Sequence, residues 1–289
     1  MPAKPSNKSQ NRAKSTPDTG SKPWLKGRAV KAKPEKRTVP VASGSRQEEV
    51  KVYGENACLE LYKNRAESII RLYVNAQMAP RFASLMKYLA EHKKAYHLVE
   101  DAELEKVAAS QHHGGIVLLV KRKPIASLAS YLAKKSLNRD CLLALDGVGN
   151  PHNLGAIVRT CAHFGVTGII MRDPQLLYSG AALRTAEGGG EYIAGLGCDD
   201  MPLALRLCKE AGYQLITTSS HKGQSLYHSD LPAKAVIVFG EEMFGVSTAV
   251  AQTADVSLQI PGTGKVESLN VSVAASLILG EWYRQHSAQ

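Results

Sequence analysis

The sequence predicts an α/β protein in which a parallel sheet with helices on both faces follows a smaller α/β unit. Three observations carry that prediction. Short apolar runs at 141–146, 168–171 and 235–239 have the length and continuity of strands buried on both faces. Between them lie helical segments at 154–164 and 201–211, closed by Gly165 and Gly212. Strand and helix alternate along the chain, the pattern of strand–helix–strand units feeding a mostly parallel sheet.

Taken in order, the smaller unit spans 48–123. Its strands are expected at 50–53, 68–74, 95–99 and 116–121, and its helices at 55–64, 80–92 and 101–109. In the second helix Phe82, Leu85, Met86 and Leu89 recur at helical spacing. Residues 124–139 read as a linker with a short helix at 125–135. The larger domain spans 140–289. Further strands are expected at 213–218 and 256–260, further helices at 246–252 and 270–284, and 183–191 is a small-residue, glycine-rich stretch. No internal repeat is found.

Charge is placed unevenly. Residues 1–47 hold twelve of the 36 Lys/Arg and two of the 26 Asp/Glu, which leaves 24 of each sign in the rest. The whole net charge of +10 therefore lies in the tail. That segment is rich in Lys, Pro, Ser and Gly and too poor in large apolar groups to offset chain entropy, so it is expected to be disordered. A basic arm on a neutral body fits contact with a polyanion, with solubility as the plainer reading.

The five cysteines, Cys58, Cys141, Cys161, Cys198 and Cys208, are odd in number and lack a C-x-x-C pair. They argue against a disulfide framework or a cysteine-rich zinc site and for a reducing, cytoplasmic location. No apolar run is long enough to cross a bilayer, and the basic N-terminus lacks the apolar core of a signal peptide. His112 and His113 are adjacent, so their side chains diverge, and no third ligand stands at a recognisable spacing; no metal is expected.

Three stretches could carry chemistry. In the first, Asn153 stands at a helix start, where it could cap; Gly155 permits close approach, and Arg159 follows within two turns. A cation near a helix N-terminus opposes the macrodipole. Arg159 reads either as a surface residue or as a group aimed at phosphate or a reacting oxygen. The loop before it, from Asp146 to His152, also suggests a dinucleotide site, but His152 stands where the third glycine of that motif belongs. The second stretch sets Glu241 and Glu242 between Gly240 and Gly245 after a strand, which places acids at a ligand crevice or in a plain polar turn. The third runs from Ile260-Pro261-Gly262 to Ser268-Leu269-Asn270. It reads as a strand, a tight loop and a helix start with exposed N–H groups suited to a polar small molecule, or as an ordinary turn.

Together these stretches resemble the SpoU (TrmH) family of RNA ribose 2′-O-methyltransferases, within the SPOUT superfamily. The family motifs N-x-G-x-x-x-R, G-x-E-x-x-G and I-P followed by S-L-N-V-S-x-A are matched in order: by Asn153 with Arg159, by Gly240, Glu242 and Gly245, and by Ile260-Pro261 with Ser268 through Ala274. Residues 50–121 resemble the small RNA-binding domain placed before that catalytic domain. One departure is Gly262, where many members carry Met.

The resemblance implies a deep trefoil knot formed from about Val236 onward. It implies S-adenosylmethionine as cofactor, held by Gly240, Ile260 and Leu269 with Thr218, Gly245, Pro261 and Gly262 nearby. It also implies a homodimer through the C-terminal domain and a tRNA or rRNA substrate methylated at a ribose 2′-hydroxyl. Arg159, Asn153, Glu242, Ser268 and Asn270 are the implied catalytic set. The alternative is a non-catalytic RNA-binding or assembly factor that keeps the fold. The intact polar set favours the enzyme, and the Asn/Arg motif with the Ser-Leu-Asn run favours ribose over base methylation.

Overall fold

A computed structural model describes residues 49–134, 138–220 and 222–287. The basic segment expected to be disordered, residues 1–47, lies outside these, as does Lys135 at the end of the expected linker helix.

The first sheet is built from β1 (Glu49–Tyr53), β2 (Ile69–Val74), β3 (Ala95–Leu98) and β4 (Ile116–Lys121). Its order is β1-β4-β2-β3, with β4 antiparallel to β1 and β2, and β2 parallel to β3. Helices α1 (Glu55–Arg65), α2 (Ala83–Glu91) and α3 (Asp101–Ala108) connect the strands. A single residue, Gly54 at φ +94, turns β1 into α1, a conformation that side chains disfavour. Leu61, Leu72, Leu85, Leu89 and Leu118 are fully buried between the sheet and α1 and α2. Leu104 and Ala108 of α3 cover Tyr53 and Val117 on the other face.

The second sheet has eight strands, all paired in parallel: β5 (Ala126–Ser127), β6 (Asp140–Asp146), β7 (Gly168–Met171), β8 (Ala194–Gly197), β9 (Gln214–Thr218), β10 (Gln224–Ser225), β11 (Lys234–Gly240) and β12 (Val256–Gln259). Their order is β10-β12-β9-β11-β6-β7-β8-β5. Every residue of β6 is buried, as expected of a central parallel strand. Alternation then splits it between two cores. Cys141, Leu143 and Leu145 join one, and Leu142 and Ala144 the other. The first core takes Leu154 and Ile157 of α5 (Pro151–His163), Leu183 of α6 (Gly180–Thr185) and Ile278 of α9 (Val271–Ser287). The second takes Leu128 of α4 (Leu128–Lys134), Leu205 of α7 (Met201–Glu210) and Val250 of α8 (Thr248–Ala251). Helices thus cover both faces.

The structure differs from the sequence expectation in a few places. α5 begins at Pro151 rather than residue 154, because Asn150 is the cap: its side chain accepts from the N–H groups of His152 and Asn153. Asn153 therefore lies inside the first turn and does not cap. α8 is only four residues long, since Val246 and Ser247 belong to the loop before it. The 183–191 stretch supplies the end of α6 and a 3₁₀ turn, Gly189–Glu191. The strand β8, Ala-Gly-Leu-Gly, carries no β-branched residue and was not expected.

Candidate active site

β9, β11 and β12 are neighbours and end on the same edge of the sheet, at Thr218, Gly240 and Gln259. Beyond them, the 241–247 and 260–270 loops enclose a cavity of about 830 Å³. All seven expected cofactor residues, Thr218, Gly240, Gly245, Ile260, Pro261, Gly262 and Leu269, line it. So do the apolar Phe239, Leu258, Ala274 and Ile278. Four glycines, Gly240, Gly245, Gly262 and Gly264, and Pro261 are among its lining residues, and the loops fold tightly. The Gly245 N–H donates to the Glu241 carbonyl at 2.8 Å, and Gly245 sits at φ +69. This turn lies so close on Gly240 that a Cβ there would stand 1.9 Å from the Gly245 carbonyl carbon. Thr218 Oγ1 donates to the Val238 carbonyl at 3.1 Å, which fixes its hydroxyl at the strand end.

A chain of side-chain hydrogen bonds joins the three motifs. Asn153 Nδ2 donates to Glu242 Oε1 at 2.6 Å, and Asn153 Oδ1 accepts from Asn270 Nδ2 at 3.1 Å. Asn270 Oδ1 in turn accepts from both the backbone N–H and the hydroxyl of Ser272, at 2.9 and 2.6 Å. An ionised carboxylate only accepts, so Glu242 sets the direction of the whole chain. Asn270 is a cap and a member of this network at once, since its carbonyl also begins α9. Ser268 lines the cavity and makes no side-chain hydrogen bond among the described residues.

Arg159 is not brought into the cavity. Six residues after Asn153, it points about 120° away around α5 on the 3.6-residue period. It is exposed, has no hydrogen bond or ion pair among the described residues, and lines a shallow groove with Thr160, His163, Phe164 and Ser276. Thr160 and Ser276 tie α5 to α9 there, with their hydroxyls 3.1 Å apart.

Two residues that support the site were missed. Asp146, 7% exposed at the end of β6, accepts from the Ser247 N–H at 3.0 Å and so holds the far end of the 241–247 loop. An acid closing the apolar run 141–145 was the available signal. Asn150 was the other, standing before Pro151 as a cap before a first-turn proline. Of the adjacent histidines, His113 is buried and accepts the Gly115 N–H on Nδ1 at 3.0 Å, which shapes its own turn.

The model of the SpoU rRNA Methylase family matches residues 140–280, and one described as RNA 2′-O ribose methyltransferase substrate binding matches 51–126. A relative in Escherichia coli O157:H7, named uncharacterized tRNA/rRNA methyltransferase YfiF, is 44% identical over 84% of this chain and 70% of its own. The chain belongs to the SpoU rRNA methylase family. Another SpoU relative, the 23S rRNA (guanosine-2′-O-)-methyltransferase RlmB of Shewanella oneidensis, is 31% identical over 81% of this chain and 96% of its own. The SpoU chain also shares the fold of a solved RNA 2′-O ribose methyltransferase. The TM-score is 0.70 at 23% identity, over 83% of this chain and 90% of that one. An AdoMet-bound rRNA methyltransferase from Sinorhizobium meliloti gives 0.69 at 20% identity, over 83% and 88%.

Proposed function

We propose that this chain is an S-adenosylmethionine-dependent methyltransferase acting on a ribose 2′-hydroxyl of tRNA or rRNA. The observation that carries the reading is the Glu242–Asn153–Asn270 hydrogen-bond chain at the edge of a cavity formed by the 241–247 and 260–270 loops. The names of the relatives support the same chemistry.

The residues present fit the cofactor. Phe239, Leu258 and Ile278 offer an apolar seat for an adenine ring, and Gly240, Gly245 and Gly262 offer backbone polar groups that no side chain of their own covers. When bound, the cofactor supplies an electrophilic methyl group. Glu242 and Asn153 hold the two cavity loops in register with α5. Arg159 contacts the ribose 2′-oxygen or a neighbouring phosphate through its planar donors. A guanidinium stays protonated and is a poor base, so a nearby RNA phosphate assists proton removal. Alignment of this kind supplies at most ~7–11 kcal/mol of the barrier.

The site is completed in a homodimer. Val273 and Leu277, one turn apart, form an exposed apolar stripe on α9 (47% and 38%), and the exposed Tyr283 (43%) packs on Phe164 of the Arg159 groove. A second copy on that stripe would carry Arg159 of one chain to the cavity of the other; sedimentation equilibrium tests the dimer. The C-terminal segment forms a deep trefoil knot from about Val236 onward. Its support is the path of the chain. β12 lies beyond β9, and α9 returns to α5, while Trp282 and Gln285 bond to Pro232 and Leu231 just ahead of β11. Tracing 236–287 in an experimental map decides the knot.

The decisive experiment is methyl transfer to 23S rRNA and bulk tRNA, with 2′-O-methyl mapping and the Arg159→Ala variant. The wild type should methylate a ribose, and the variant should lose at least about a hundredfold in kcat, in the range for removing a transition-state donor, while still binding cofactor. Wild-type rate in Arg159→Ala removes that residue from the mechanism.

A further inference from the structure

The substrate-binding region, residues 51–126, is fastened to the catalytic region by a largely buried ionic clamp. Arg65 closes α1, and its guanidinium forks onto Glu191, Nε to Oε2 at 2.7 Å and Nη2 to Oε1 at 3.1 Å. The two side chains are 14% and 5% exposed. Arg65 Nη1 also donates to the Lys121 carbonyl at 3.0 Å, so the same guanidinium grips the end of β4. Lys123 Nζ donates to the carbonyls of Gly190, Glu191 and Ile193 at 2.8, 2.8 and 3.1 Å. Burial lowers the Lys123 pKa, and the Glu191 charge opposes that shift. At Gly188, φ +92, a Cβ would lie 2.4 Å from Glu60 Cγ, so α1 rests on bare backbone.

The turn that receives this clamp is itself seated on the helix of Arg159. A Cβ added to Gly189 would lie 3.3 Å from the Arg159 Cα and 3.2 Å from Ala162 Cβ. Helix α1, the 189–191 turn and α5 are thus in contiguous contact at the residue expected to meet RNA. A tether needs none of this. A largely buried, bidentate pair contributes geometric definition more surely than net stability.

We infer that Arg65, Lys123 and Glu191 are positioning residues: they lock the substrate-binding region on the 189–191 turn, so that RNA held there is presented at a fixed distance from Arg159 and the cavity. The role in presenting RNA rests on the function proposed above.

The test uses the full chain and the variants Glu191→Gln and Arg65→Lys; the second keeps the charge and loses the fork, and it carries the test if the first does not fold. Amide exchange is read in 55–65 and 187–193, with cofactor affinity by calorimetry and steady-state methylation of 23S rRNA. Glu191→Gln should speed exchange in both segments by about tenfold or more, consistent with breaking a buried pair. It should raise KM for RNA by about fivefold or more, leaving kcat at saturating RNA and cofactor affinity within about twofold. Arg65→Lys should fall between. Unchanged exchange overturns the clamp. Faster exchange with an unchanged KM overturns its positioning role. A wild-type chain that methylates no RNA counts against the proposed function instead, and the exchange result still decides the clamp.

Discussion

Replacing Gly240 by alanine should weaken cofactor binding far more than it weakens the fold. The added methyl would stand 1.9 Å from the Gly245 carbonyl carbon, and 2.1 Å from both its oxygen and the Val246 nitrogen. All three atoms are backbone, so no side chain can swing aside. To reach an ordinary 3.4 Å contact, the turn must retreat by about 1.5 Å. That displacement carries Glu242 out of its 2.6 Å bond to Asn153 and moves one wall of the cavity. Met243 and Phe244 are 81% and 79% exposed, so no packed core resists the shift. The strain is therefore relieved at the loop. Overpacking costs about 1–3 kcal/mol. Expressed at the cofactor loop, that is about a 5- to 150-fold rise in the dissociation constant for S-adenosylmethionine. Calorimetry measures it, with thermal unfolding as the control for the fold. Gly149→Ala is the matched comparison, because a Cβ there meets nothing within 4 Å and the residue does not line the cavity. It should bind within about twofold of wild type, since no atom has to move. Equal affinity in Gly240→Ala and wild type would refute the assignment of this turn to the cofactor site.

Deleting residues 1–47, which carry the entire net charge of +10, should lower RNA affinity and flatten its dependence on salt while leaving cofactor binding alone; an unchanged salt slope counts against tail contacts. Arg284 and then Gln285 hold the Glu281 carboxyl down at about 2, below its usual 4.5. A depressed carboxylate stabilises the fold above about pH 4.5 and loses that contribution as the pH falls toward 2. Glu281→Gln should therefore be less stable than wild type at pH 7, with the gap in melting temperature narrowing at pH 3; a constant gap refutes the pairing. Cys198 is half-buried, and burial pushes its thiol up to about 11, while Cys58, Cys141 and Cys161 are fully buried and raised further. At pH 8 only about one Cys198 in a thousand is thiolate by that value. Thiol titration should be slow in the native protein, led by Cys198, and complete at once in denaturant; rapid native reaction of several thiols would contradict the packing.

Much of this protein was legible from local pattern. The apolar runs of β6, β7 and β11 identified themselves, because a strand buried on both faces can contain little else. Gly240, Glu242, Ile260 and Asn270 could be picked out because loops that approach a ligand need glycine, proline and polar groups at set spacings, and those spacings persist in the linear order. The cap of α5 was misplaced by three residues: Asn150 and Asn153 are both competent, and only the tertiary partners, Glu242 and Asn270, draw the second one away. The two-residue strands β5 and β10 and the glycine-rich β8 have no signal of their own, since neighbours in the sheet supply their order.

The sequence by itself determined the fold class, the three motifs and the family, because each rests on residue type and short-range spacing. Tertiary structure alone decided three things: that Asn153 bonds to both Glu242 and Asn270, that Arg159 faces a groove apart from the cavity, and that Arg65 meets the Glu191 carboxylate while Lys123 meets the 190–193 backbone. The physical reason is separation along the chain. Asn153 and Glu242 are 89 residues apart, and Arg65 and Glu191 are 126 apart. No local propensity links such pairs. They meet because the parallel order of β9, β11 and β6 brings the ends of distant strands to one edge, and because bare glycine backbone at 188–190 lets α1 come to rest there.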